Sequence, residues 1–189
     1  MSRPPAVGVS VSSALREASA DLRLRPPRLG DEAAFAAAHR ALRDEDFQFG
    51  LGYADGMDWA TYLRRLERHR CGIDLPEGIV PATFLVADVH GELVGRTSIR
   101  HQLTEYLARE GGHIGYAVVP EHRRRGYATE ILRQSLVIAR AAGVDRALIT
   151  CDDDNVGSAT AIERCGGVFD SLVARSDDGT TLCRRYWID

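Results

Sequence analysis

The stretch Gly111–Ala128, GGHIGYAVVPEHRRRGYA, constrains this chain more than any other. An apolar run from Ile114 to Val119 ends at Pro120, a basic segment from His122 to Arg125 follows, and Gly126, Tyr127 and Ala128 open an amphipathic pattern. A buried strand, a turn and a helix N-terminus are expected in immediate succession. The first N–H groups of a helix have no partner within it and lie at the positive end of its dipole, so the arrangement suits an anion. Gly126 has no β-carbon, which lets the backbone approach phosphate oxygens or take a positive φ. Arg123, Arg124 and Arg125 either direct their charge at that anion or form an ordinary solvated turn.

Around this stretch the periodicity predicts a strand, two helices, three strands, a helix, a strand, a helix and two strands. Leu22 and Leu24 precede Pro26-Pro27, which allows a first strand only up to the prolines. Asp31 starts a helix with Ala34, Phe35, Ala38, Ala41 and Leu42 inward, and Asp58 caps a second with Trp59, Tyr62, Leu63 and Leu66 inward. Between them, residues 44–57 form a long loop. Two strands joined at His90-Gly91 make a hairpin, and Gln102 to Gly111 connects it to the central strand. Downstream, Ala128, Ile131, Leu132, Leu136 and Ala139 trace a helix face ending at Gly143. Val144 to Cys151 is a buried strand, a helix after Asn155 turns Ala159, Ile162 and Cys165 inward, and strands 168–174 and 181–188 are joined through Asp177-Asp178-Gly179. Residues 1–20 read as a loosely packed tail, with a short helix near Ala14–Ala20 admissible, and residues 21–189 as one domain.

Arg123-x-x-Gly126-x-Ala128, behind Val118-Val119-Pro120, resembles the acyl-CoA pyrophosphate motif of the GNAT superfamily of N-acetyltransferases. Asn155-x-x-Ser158, followed by Cys165-Gly166-Gly167, is similar to that family's second cofactor-side segment, and the order of elements from Leu22 to Asp189 can be laid on the family's. The resemblance implies an α/β (α+β) fold: a mixed central sheet of about seven strands that splays between strands four and five, with about four helices. It implies acetyl-CoA as cofactor. Backbone of Ala117, Val118 and Val119 would meet the pantetheine, Arg123, Arg124, Arg125, Gly126, Tyr127, Ala128 and Thr129 the pyrophosphate, and Asn155 and Ser158 the cofactor's other side.

Acetyl transfer needs a neutral amine, a positioned thioester and a proton donor for the departing thiolate. Family members often carry a tyrosine seven residues after the asparagine, near that thiolate; here the position is Ile162. Ser158 is an available hydroxyl one turn earlier, or simply a helix-terminal hydrogen-bonder. Members with a base on the central strand often place it where Gly112 or Ile114 stands. Tyr116 shares that face by the two-residue period and either points toward the acetyl end or fills the core, whereas His113 projects oppositely. His101 and Glu105, upstream, are candidate bases or surface residues. Asp152, Asp153 and Asp154, with Glu45, Asp46 and Asp55, can attract a cationic amine or serve as caps and loop residues.

The first reading is an N-acetyltransferase acting on a primary amine of a small molecule or peptide; the second is a noncatalytic acyl-CoA-binding module. A dinucleotide-binding domain is disfavoured because G-x-G-x-x-G is missing. With 24 Lys and Arg against 27 Asp and Glu, nothing draws the chain as a whole to nucleic acid, and no aromatic platform accompanies the basic run. Four cysteines lack C-x-x-C or zinc spacing, so no metal is expected and a reducing, cytoplasmic setting is. No run reaches membrane-spanning length. Exposed terminal strands leave a homodimer possible.

Overall fold

Proline at 26 and 27 ends the first strand, β1 (Arg23–Arg25), after three residues, because proline has no N–H to offer a ladder. The computed structural model describes residues 21–176 and 179–189. The expected tail and the Asp177-Asp178 turn lie outside them. Helix α1 (Glu32–Arg43) buries Phe35, Ala38, His39 and Leu42. Ala34, expected inward, is exposed; His39 joins the inward stripe instead, and its Nδ1 accepts the Gly50 N–H at 3.1 Å. Helix α2 (Trp59–Arg70) starts as its sequence demands, with the Asp58 carboxylate accepting the Thr61 N–H.

The loop between these helices is anchored. Phe49 and Tyr53 are buried, and both rings lie 5.2 Å from Phe35 in edge-to-face geometry. Trp59, Tyr62 and Phe84 complete the aromatic cluster. Each such ring contributes about 2–3 kcal/mol through burial, enough to hold a segment that has no secondary structure of its own.

Strands β2 (Ala82–Val89) and β3 (Glu92–Arg100) are joined by His90 and Gly91 at φ 52° and 92°, the two positive values a tight hairpin turn requires. The connection Gln102–Gly111 is not plain loop: it holds one π-helical turn, Leu107–Gly111. Strand β4 (Ile114–Val118) then pairs with β3, giving a sheet ordered β1-β2-β3-β4. Helix α3 (Tyr127–Ala141) closes at Gly143, φ 89°, where the Val144 N–H bonds back to Ala139 O. Val144 therefore belongs to the helix cap, and β5 (Ala147–Asp152) begins three residues later than its apolar run suggests. Helix α4 (Val156–Arg164) and strands β6 (Val168–Ala174) and β7 (Leu182–Ile188) follow, in a second sheet ordered β5-β7-β6.

Among the described residues the fold has the expected seven strands and four α-helices, but the strands fall into two sheets, and every ladder in them is antiparallel. The splay expected between the fourth and fifth strands is the boundary between the two. Helices α1 and α2 pack on one face with Phe84, Val86 and Leu93, while α3 and α4 cover the other with Ile99, Ile114, Ile149 and Tyr186.

His113 joins the sheets. Its N–H donates to Leu148 O at 2.7 Å, and its Nδ1 accepts the Leu148 N–H at 2.9 Å. Gly112 makes this approach possible: a β-carbon there would sit 2.6 Å from Leu148 O. Burial pulls the pKa of His113 below its ordinary value, and those of His39 and His101 likewise. A depressed histidine pKa means the unfolded chain takes up protons first. Stability is therefore complete above about pH 6.5 and is lost as pH falls below it. Thermal melts from pH 8 to pH 5 are expected to show this loss, reduced in His113→Gln; a His113→Gln profile parallel to wild type contradicts the assignment to His113.

Candidate active site

The gap between β4 and β5 is built by the direction of backbone groups. Val119 donates to Val94 O and Arg100 donates to His113 O, so the odd-numbered positions of β4 pair with β3. By the alternation of an antiparallel ladder, the backbone groups of Tyr116 and Val118 face the gap. On the far side, β5 is held by the segment that precedes β4: His113 contacts Leu148, and Thr150 Oγ1 donates to Glu110 O at 2.6 Å. From Ile114 onward the two strands have no ladder between them.

At the upper end of the gap, Arg124 at φ 65° and Gly126 at φ 84° turn the chain into α3. No side chain caps that helix. The N–H groups of Arg124, Arg125, Gly126, Tyr127, Ala128 and Thr129 donate to no acceptor among the described residues, which makes a concave row of donors at a helix N-terminus. The three arginines behave differently from one another. Arg123 pairs with Glu45 of the long loop at 2.5 and 3.1 Å and donates through Nε to Val118 O. Arg125 reaches Glu121 O at 3.3 Å, while the exposed Arg124 guanidinium has no partner among the described residues. The Tyr127 side chain is buried in the core with Val94 and Ile131, leaving only its N–H at the mouth, and Ala128 and Thr129 are half-buried.

Asn155 caps α4, its Oδ1 accepting the Ser158 N–H at 2.9 Å, a contact worth about 1 kcal/mol. That cap fixes Ser158, whose Oγ lies 2.8 Å from Tyr116 Oη. Two hydroxyls predicted from separate segments thus meet at the base of the gap. Burial raises the Tyr116 pKa far above the ordinary tyrosine value. Burial also pushes the nearby Cys151 thiol up to about 11, so it stays protonated. Ile162 is fully buried in the core, where it supplies packing and no proton.

The remaining predicted residues lie elsewhere. Val119 has both backbone groups engaged, donating to Val94 and accepting from His122, and the Ala117 backbone belongs to the β3-facing set. His101 Nε2 is 2.9 Å from Thr83 Oγ1 at the far end of the hairpin. It lies four residues beyond Thr97, the partner of Tyr116, hence about 13 Å along the strand. Glu105 is exposed and makes no hydrogen bond to either hydroxyl. Of the acids expected to draw a cationic amine, Asp152 pairs with Arg175, Asp153 with Arg184 and Asp55 with Arg43.

Sequence reasoning passed over Arg96, Ser98 and Arg100. They alternate on the β3 face turned toward α1 and α2 beside the gap, and this period of two in R-T-S-I-R was the available signal.

A free helix mouth beside a parted sheet is the architecture of the acyl-CoA-dependent fold that the motifs resemble. The family model for the acetyltransferase (GNAT) domain matches residues 21–168, and the chain belongs to that family. Among solved structures, it is similar to RimJ of Mycobacterium smegmatis in complex with CoA-disulfide, with 22% identity, TM-score 0.63, and 88% of this chain and 81% of that chain covered. An acetyltransferase from Agrobacterium tumefaciens shares 26% identity over 87% of this chain and 90% of its own, at TM-score 0.58. RimL, a ribosomal L7/L12 alpha-N-protein acetyltransferase in complex with coenzyme A, aligns at 17% identity and TM-score 0.62 over 90% of this chain and 95% of that one. No curated protein sequence matches the chain. Among the described residues, no helix is long and apolar enough to cross a membrane.

Proposed function

We propose that this chain transfers an acetyl group from acetyl-CoA directly to a primary amine of a small molecule or peptide, within a ternary complex. The observation that carries this reading is the continuity of three features: the free N–H row at Arg124–Thr129, the backbone edge at Tyr116 and Val118 that no strand pairs and that Arg123 Nε touches at Val118 O, and the Tyr116–Ser158 hydroxyl pair at the end of that edge. The diphosphate takes the donors, with Arg124 as its first cationic partner. The pantetheine arm pairs with the edge as an added strand, and the thioester comes to the hydroxyls. Asn155 acts through the cap it gives α4.

The acceptor nitrogen attacks the thioester carbonyl, the N–C bond forms, and the C–S bond breaks as the thiolate leaves. Ser158 Oγ gives that thiolate its proton. Tyr116, which burial keeps protonated, donates to Ser158 and aims the serine proton at the sulfur. Water carries the surplus proton of the amine back to the Ser158 oxygen and restores its hydroxyl, so the net transfer is one proton from nitrogen to sulfur. A protonated Cys151 supports direct transfer over an acyl-cysteine intermediate. His101 and Glu105 act only through water. Free thiols at Cys71, Cys151, Cys165 and Cys183 support a reducing, cytoplasmic setting, and the exposed Val168, Phe169 and Leu172 on edge strand β6 support a homodimer.

The test is release of CoA thiol with mass detection of the N-acetyl product across an amine panel. Transfer is expected to rise with pH along the acceptor's own amine titration, since no carboxylate or imidazole among the described residues hydrogen-bonds the hydroxyl pair. The buried Ile162 favours the second reading, a noncatalytic acyl-CoA module: CoA binding with every amine left intact selects it.

A further inference from the structure

Of the acids around the proposed acceptor side, Glu45, Asp55, Asp152 and Asp153 pair with arginines, but two arginines there pair with no acid. Arg96 is 4% exposed; its Nη1 donates to Gly115 O at 2.9 Å, its Nη2 to Gln48 O at 3.1 Å, and its guanidinium lies 4.8 Å from the Phe47 ring centre. Its Nε has no hydrogen-bond partner among the described residues. Arg100, two steps along the same strand face, donates through Nη1 to the carbonyls of Gly111 and Gly112. No carboxylate pairs with either guanidinium among the described residues. Burial and the neighbouring charge pull Arg96 down to about 9, and burial lowers Arg100 as well.

Two further orphan donors belong to this region. Ser98, between the arginines on the strand, is fully buried, and among the described residues neither its Oγ nor the Tyr62 hydroxyl, which interacts electrostatically with Arg96, has a hydrogen-bond partner. Buried guanidinium charge without a counterion is costly, as are buried hydroxyls without partners, and an anion would relieve both. The seat for one is Gly115, opposite Ser98. A β-carbon on Gly115 would lie 3.5 Å from both terminal nitrogens of Arg100 and 3.7 Å from Arg96 Nη1, so the missing side chain leaves room between the two forks. Gly115 also directly precedes Tyr116, whose backbone faces the gap.

We infer that the acceptor carries, close to its amine, an anionic oxyacid group, carboxylate or phosphoryl, that docks over Gly115 between Arg96 and Arg100. This rests on the transfer reading above and narrows it. The acceptor is a compact amino acid or amine phosphate, and a polyamine is excluded because two buried cations would repel it.

The experiment measures transfer from acetyl-CoA to matched pairs: amino acids against their carboxamides, and phosphoethanolamine against ethanolamine. The first pair reads a carboxylate, the second a phosphoryl group. In at least one pair the anionic member is expected to be used with kcat/KM at least about tenfold above its neutral partner, the worth of one charge-assisted hydrogen bond. Arg100→Gln is expected to erase that ratio, and Gly115→Ala, which adds only an ordinary contact, to diminish it through KM. Calorimetric CoA affinity close to wild type shows that each variant is folded. Equal use of both members, a ratio that survives in both variants, or acetylation of neutral amines alone overturns this inference and leaves the transfer reading standing. CoA binding with no amine acetylated overturns both.

Discussion

Gly126→Asp is expected to weaken CoA binding by at least about 100-fold. The carboxylate would stand at the mouth of α3 where the diphosphate is proposed to sit, and like charges about 5 Å apart at an effective dielectric of 20 repel by about 3 kcal/mol. The φ of 84° at Gly126 adds strain, since a side chain in the left-handed region costs about 1 kcal/mol. Gly126→Ala carries the strain without the charge and is expected to lose about tenfold or less. Calorimetry with CoA and with pantetheine separates the causes: pantetheine has no phosphate and should bind Gly126→Asp and wild type alike. CoA affinity within threefold of wild type in Gly126→Asp removes the diphosphate from this helix mouth.

Ser158→Ala should lower kcat by about 100-fold, the low end of what a positioned proton donor contributes, with KM for acetyl-CoA little changed. The serine hydroxyl is held from two sides, by the Asn155 cap on its N–H and by Tyr116 on its Oγ, so it can be removed without disturbing α4. Tyr116→Phe should cost less, about tenfold, because the phenol orients Ser158 and gives no proton to the sulfur itself. The double variant should be no slower than Ser158→Ala, since a positioning residue has nothing left to position. An acetyl donor with a better leaving thiolate, such as an aryl thioester, should narrow the Ser158→Ala deficit. A deficit unchanged by leaving-group pKa, or costs that multiply in the double variant, contradicts this division of roles.

Local chemistry was readable in advance, and tertiary pairing was not. Pro26 ends β1, Asp58 and Asn155 cap their helices, and His90-Gly91 makes the hairpin turn, because each of these acts within a few residues of itself. The order of elements followed from the hydrophobic periodicity, and the position of the gap from the family resemblance that the motifs around Gly126 and Asn155 carry. Arg123 shows where local reading stops. It belongs to the basic run, yet its guanidinium turns to Glu45, 78 residues earlier, across the anchored loop. The acids Asp152 and Asp153 look from the sequence like a lure for an amine, but arginines from strand β7 and the turn beside it neutralise them. Arg96 and Arg100 are the converse: on a strand read only as the second arm of a hairpin, two cations drew no assignment, and only the register with β4 places them around Gly115. His101, attractive as a base by type alone, is paired with Thr83 about four residues' distance from the hydroxyls.

The central claim is the seat of the cofactor, and a crystal structure of the CoA complex tests it most directly. The account expects diphosphate oxygens within hydrogen-bond distance of the N–H groups of Arg124 to Thr129, the pantetheine paired with the backbone of Tyr116 and Val118, and the sulfur beside Ser158. CoA bound elsewhere on the molecule, with β4 and β5 closed on each other and the helix mouth left to water, would contradict it.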